Sequence, residues 1–132
     1  MIDILVVDDE KKIREGITLN IDWAAHDINV CGTASSGFEA LDMIDMFMPG
    51  IVITDISMSD MDGLELLKII NQTYPTVKVI LISGYKEFEY ARKAVALNAY
   101  SYLTKPINSK LLLDKVKEAK DIIEKQIGRA HV

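Results

Sequence analysis

The chain has one cysteine and no long apolar run, and each scarcity excludes something. A lone Cys31 cannot close an internal disulfide and fits a reducing compartment, where it reads as a small apolar strand residue rather than a reactive thiol. No stretch approaches the roughly 18 consecutive apolar residues of a membrane span. The opening "MIDILVVDDE" lacks the basic flank and long apolar core of a secretory signal. Basic residues are scarce too: 15 Lys and Arg face 20 Asp and Glu, a net charge of −5, which argues against a broad nucleic-acid surface. Nothing matches a phosphate-binding glycine loop or a dinucleotide fingerprint. What remains is a chain of 132 residues, 49% of them hydrophobic, sized for one domain whose core needs no metal or disulfide staple. The expectation is a soluble cytoplasmic protein.

Short runs rich in Val and Ile recur at 2–7, 28–32, 51–54, 77–82 and 100–103. With little polar alternation, they predict strands buried on both faces. Between them lie segments of helical spacing. Ile13, Ile17 and Ile21 recur every four residues in 11–21; in 36–47, Ser36 and Glu39 form a capping box ahead of Leu41 and Ile44. Leu66, Leu67 and Ile70 group in 63–73, and Phe88, Ala91 and Val95 in 86–97. Leu112, Val116, Ala119, Ile123 and Ile127 form one stripe in 108–127. Pro49 and Pro75 fall ahead of strands three and four, and Pro106 follows strand five. Strict β/α alternation with short loops predicts an open, doubly wound, five-stranded parallel sheet with helices on both faces. The domain is expected to span 1–127, with 128–132 set aside as a tail without periodicity.

In such a sheet, ligands bind beyond the carboxyl ends of the strands. Those ends deliver Asp8 and Asp9 from strand one, Asp55 from strand three, Ser83 from strand four and Lys105 from strand five. Carboxylates crowded together repel, each pair at ~4 Å by ~4 kcal/mol at an effective dielectric of about 20. Either one takes up a proton or a cation binds. A hard divalent ion on oxygen ligands is the expected solution, with Mg2+ the natural candidate beside phosphate. Metal, carboxylate, hydroxyl and lysine together suit phosphoryl transfer. One carboxylate can act as nucleophile and carry an acyl phosphate, while Lys105 neutralises the transferring oxygens and the Ser83 hydroxyl donates to one of them. Lys105-Pro106 is a candidate cis peptide.

"VVDDE", "DISMSDMDG", "LISGY" and "YLTKPI", at these separations, resemble the receiver domain of bacterial two-component response regulators over about residues 2 to 125. The resemblance implies a flavodoxin-like sheet of strand order 2-1-3-4-5. It also implies that Asp55 accepts a phosphoryl group from a sensor histidine kinase, so that the chain is a phosphoacceptor rather than an enzyme with a separate substrate. Asp9, Asp55 and the backbone carbonyl of Ser57 would hold Mg2+ directly, and Asp8 mostly through water. Ser83 and Tyr102 match the family's switch pair of hydroxyl and aromatic, and Lys105 its lysine. One departure stands out: Ser59 occupies the place of the family's usual proline in the loop after the acceptor. "IREGI", "IDW" and "SGYKEFEYARKA" are most similar to receivers attached to AraC-type DNA-binding output domains, so DNA would be reached only through a segment beyond this chain. A second copy of the chain is a further candidate partner, and no membrane contact is expected.

Other readings fit less well. A haloacid-dehalogenase-type phosphatase needs a second acid two residues after the nucleophile, where Ser57 stands. A calcium loop fails because its sixth position is Asp60 rather than Gly and its twelfth Leu66 rather than Glu. A silent pseudo-receiver, acting only as an interaction module, is the runner-up, but it usually lacks an acid or the lysine. His26 reads as a surface residue, Trp23 as packing for the first helix, and Met58 and Met61 as cover for the core. Tyr85, Phe88 and Tyr90 read as packing and surface aromatics.

Overall fold

Side chains alternate across a strand, so each strand of a sheet covered on both faces feeds two cores at once. The computed structural model follows that rule. It describes residues 1–84 and 88–130, the side chains of 88, 90, 91 and 128–130 excepted. Tyr85 and the side chains of Phe88 and Tyr90 thus lie outside what is described. The order is β1 (Ile2–Val7), α1 (Lys11–Leu19), β2 (Ile28–Ala34), α2 (Gly37–Phe47), β3 (Ile51–Asp55), α3 (Gly63–Thr73), β4 (Lys78–Ser83), α4 (Phe88–Ala96), β5 (Ser101–Thr104) and α5 (Ser109–Ala130), with a short 3-10 turn at Ala24–His26. All pairings are parallel and the sheet runs β2-β1-β3-β4-β5.

Leu5, Val7, Val52, Val79 and Leu81 face one core, closed by Ala40 and Ile44 of α2, Leu66, Leu67 and Ile70 of α3, and Ala94 of α4. Their neighbours Ile4, Val6, Ile51, Ile53, Ile80 and Ile82 face the other, closed by Ile17 of α1 and Leu112, Val116 and Ala119 of α5. Burying one such Ile or Leu removes enough apolar surface from water to contribute roughly 1.5–3 kcal/mol. The central β3 is buried along its whole length, whereas β2 and β5 are only half-buried, correcting the expectation of strands buried throughout. Both are edge strands, flanked by one neighbour instead of two.

The local signals hold with three adjustments. Ser36 caps α2 by accepting the Glu39 N–H, but the Glu39 carboxylate takes the Ser35 hydroxyl. Val95 is not part of an inward stripe: it is 72% exposed, and Ala94 is the α4 residue buried against the sheet. The α5 backbone stays helical to Ala130, into the segment set aside as a tail, and Ile127 at the end of its stripe is exposed because the sheet no longer lies beneath it. Trp23 packs at the end of α1 and donates its indole N–H to the Ile17 carbonyl, while Met58 and Met61 cover the core as expected. His26 is half-buried, and Cys31, half-buried on β2, donates its thiol to the Ile4 carbonyl.

Candidate functional site

The carboxyl edge of the sheet is stiffened by backbone bonds that continue the ladder past the strand ends. Asp8 N–H donates to Ala34 O (3.1 Å), Ile56 N–H to Ile82 O (3.0 Å) and Lys105 N–H to Ser83 O (2.8 Å). Val7 pairs with Thr54, so Asp8 emerges beside Asp55; Asp55 pairs with Ile82, so Ser83 emerges on Asp55's other flank. The register therefore gathers residues that are far apart in sequence.

One carboxylate oxygen each from Asp8, Asp9 and Asp55 lies within 4.8 Å of the others. Asp8 and Asp55 are buried and Asp9 is exposed, which leaves the cluster open on one side. The Lys105 ammonium stands 3.4 Å from Asp55 Oδ1 and 3.8 Å from Asp8 Oδ2, aimed from the loop after β5, where Lys105-Pro106 is cis. Burial pushes that ammonium's pKa down, but the Asp55 and Asp8 carboxylates outweigh burial and hold it above its ordinary value. Ser83 is fully buried; its hydroxyl donates to the Gly84 carbonyl (3.1 Å) and shares a short hydrogen bond with the Tyr102 phenol. Ser57 lies exposed in the loop after β3, two positions past Asp55.

A cluster built only of carboxylates, with no imidazole or thiolate, suits a hard cation, and its size and charge fit Mg2+ better than a softer metal. Three further residues make contacts whose roles the sequence does not reveal. Arg14 of α1 donates a guanidinium N–H to the Asp8 backbone carbonyl (2.7 Å), and the Glu10 N–H donates to Asp8 Oδ1 (2.8 Å). Asp60, read from sequence only as the residue that spoils a calcium loop, accepts the N–H groups of Gly37 (3.1 Å) and Phe38 (3.0 Å) at the start of α2. Contacts between a loop and a distant helix leave no periodicity to read.

Burial raises the Asp8 carboxyl from 3.8 to about 6; the Glu10 N–H and Lys105 oppose that, and the Asp55 and Asp9 charges reinforce it. A carboxyl whose folded-state pKa lies above its unfolded one burdens the fold once it ionises. The burden is absent below about pH 4, grows as pH rises towards 6, and is complete above it. At about 1.4 kcal/mol per tenfold shift, discounted because the cleft is open to water, it amounts to about 1–2 kcal/mol. Asp8→Asn should therefore stabilise the metal-free chain by about that much at pH 8 and by almost nothing at pH 4. Urea unfolding in chelator at the two pH values checks this; an equal effect at both would mean that ionised Asp8 is not a source of instability.

Comparison with known proteins follows the same lines as the geometry. Residues 4–117 match the response regulator receiver domain family. The transcriptional regulatory protein YesN of Bacillus subtilis is 40% identical over 118 residues, 89% of this chain and 32% of that protein. The transcriptional regulatory protein HptR of Staphylococcus aureus is 37% identical over 108 residues, 82% of this chain and 42% of that one. The chain thus spans about a third to two-fifths of the length of these curated relatives. Among solved structures, the REC domain of AraT, a response regulator from Geobacillus stearothermophilus, superposes with a TM-score of 0.88 at 37% identity, covering 95% of this chain and 97% of that one. A two-component transcriptional regulator AraC from Clostridium phytofermentans gives 0.87 at 34% identity, with the same coverage. Among the described residues no helix is long and apolar enough to cross a membrane.

Proposed function

The chain belongs to the response regulator receiver domain family, and from that premise we propose that Asp55 is its phosphoacceptor, loaded by a sensor histidine kinase with Mg2+ bound at the acidic cluster. The observation that carries this reading is the approach of Asp8, Asp9 and Asp55 to within 4.8 Å of one another, with the Lys105 ammonium 3.4 Å from Asp55. Asp9, Asp55 and the Ser57 backbone carbonyl would hold the ion, and Asp8 would act mostly through water. When bound, Mg2+ supplies positive charge that offsets the carboxylates and the phosphoryl oxygens. An Asp55 carboxylate oxygen forms the new O–P bond as the P–N bond to the donor histidine breaks and the departing imidazole nitrogen takes a proton. Lys105 offsets the negative charge of the transferring group, and the Ser83 hydroxyl donates to one of its oxygens. A small phosphodonor such as acetyl phosphate should therefore add the mass of one HPO3 to the chain in Mg2+, and none in chelator. Uptake that ignores chelation sinks the metal assignment, and no uptake under any condition favours a module that only binds partners.

Ser83 and Tyr102 are proposed to pass the state of Asp55 to the surface formed by α4 and β5. The Ser83 hydroxyl bonds to the Tyr102 phenol, so an acyl phosphate on Asp55 would compete for it. A charge-assisted bond of this kind contributes about 1.5–3 kcal/mol, enough to shift a two-state equilibrium tenfold or more. Ser83→Ala should leave phosphoryl uptake largely intact but remove the chemical-shift changes that beryllofluoride, a phosphoryl mimic, produces across 88–104. Unchanged distal shifts in the variant would assign the coupling to another contact.

We also propose that the receiver switches a DNA-binding output segment beyond α5, since both curated relatives named here are transcriptional regulatory proteins of greater length. Dimerisation through a receiver face would be one route. A native reading frame that stops directly after α5 would refute the output segment.

A further inference from the structure

The loop from Ile56 to Asp62 joins the acceptor strand to α3, and it contains Ser57, whose carbonyl the proposed function uses. It lacks the proline that usually stiffens this loop in the family, Ser59 standing in its place. The structure shows what restrains it instead. At its base, the Gly63 N–H donates to the Ile56 carbonyl (2.8 Å). At its tip, both carboxylate oxygens of Asp60 are engaged, Oδ1 by the Gly37 N–H and Oδ2 by the Phe38 N–H. These are the first two amides of α2, which the helix itself cannot satisfy. Beside them, Met61 packs so closely that a Cβ at Gly37 would sit 2.8 Å from Met61 Cβ, and Met58 and Met61 are both buried. The loop is thus tied at three places, and the tie at its tip is a two-oxygen clamp onto a different helix.

We propose that Asp60 is a positioning residue: by clamping the acceptor loop to the N-terminus of α2, it holds the Ser57 carbonyl where the metal needs it, the task that a proline at 59 would otherwise share. The inference rests on the metal and phosphoacceptor reading above and deepens it. Freed from α2, the loop between Ile56 and Gly63 would sample many backbone conformations, and a ligand atom that must be ordered on binding holds its ion less tightly. Proline at 59 would restrict the same backbone by a different route. Among the described residues only Asp27, Met48 and Asn98 have positive φ outside glycine, so a proline at 59 meets no left-handed backbone.

The test is Mn2+ binding to the unphosphorylated chain, read from the electron paramagnetic resonance signal of the free ion, Mn2+ sharing the oxygen preference of Mg2+. Asp60→Ala should weaken binding about tenfold, the lower end of what supporting partners of metal ligands contribute. Adding Ser59→Pro to that variant should recover most of the loss, which replacing a missing charge could not explain because proline carries none. Ser36→Ala is the control. It removes the other cap of α2, the Ser36 hydroxyl on the Glu39 N–H, without touching the loop, and should leave Mn2+ affinity unchanged. Equal affinity in Asp60→Ala and the unaltered chain overturns the clamp alone. Equal weakening by Ser36→Ala, or no recovery with Ser59→Pro, also overturns it, reducing Asp60 to a helix cap or a distant charge. Failure of the unaltered chain to bind Mn2+ overturns both the clamp and the metal reading it rests on.

Discussion

Asp55→Asn is expected to abolish phosphoryl uptake completely while leaving the chain folded. The substitution keeps the shape of the side chain at the end of β3, where it is 3% exposed, but replaces the anionic oxygen with an amide. An amide is a poor nucleophile, and no neighbour takes over the role. Asp8 is held by the Glu10 N–H and, through its backbone, by Arg14, whereas Asp9 is exposed at the open side of the cluster. The change removes one of three mutually repelling carboxylates and, with it, the partner of Lys105 at 3.4 Å, so the two effects on stability oppose each other. Incubation with acetyl phosphate and Mg2+, followed by intact-mass measurement, reads the first effect, and far-ultraviolet circular dichroism reads the fold. Residual labelling at the wild-type level would move the acceptor to another residue. A variant that fails to fold would show instead that the Lys105 ion pair outweighs the repulsion.

Gly63→Ala should be the most damaging of the small substitutions. A Cβ at that position would lie 2.5 Å from the Asp55 carbonyl oxygen and 2.8 Å from Ile56 Cα. Both are backbone atoms, one in the last residue of β3 and one in the residue after it, which cannot swing aside as a flexible side chain could. The first turn of α3 rests directly on the peptide that carries the proposed acceptor, and only a residue without Cβ permits that approach. The clash should lower stability by about 3 kcal/mol, the upper range for overpacking, because the strain falls on the central, fully buried strand. Gly16→Ala in α1 provides the contrast. Its added Cβ would meet nothing nearer than Asn20 Nδ2 at 3.6 Å, so the better helix propensity should stabilise the chain by roughly 0.5–1 kcal/mol. Urea denaturation of the two variants gives opposite signs if the contact geometry governs. A loss below about 1 kcal/mol for Gly63→Ala would mean that the loop yields, contrary to the tethers that hold it.

The sequence by itself determined the order of strands and helices. It also determined the placing of Asp8, Asp9, Asp55, Ser83 and Lys105 at strand exits, because both follow from local rules. Apolar spacing sets each element, and in a parallel sheet all strands end on the same edge, so residues just past the runs share one side of the molecule. Tertiary structure decided what depends on which surfaces meet. Val95 has the helical spacing of an inward residue, yet α4 turns Ala94 to the sheet, since the rotation of a helix is set by the neighbours it packs on. The Ser83–Tyr102 bond follows from the β4–β5 register and a side-chain rotamer, which local spacing does not specify. Asp60 reaches amides 22 and 23 positions earlier in the chain, and Arg14 closes on the Asp8 carbonyl from the next helix. A polar bond between a loop and a remote backbone amide imposes no repeat on the sequence. Its energy depends on distance and angle, and these exist only once the sheet has brought the two segments together.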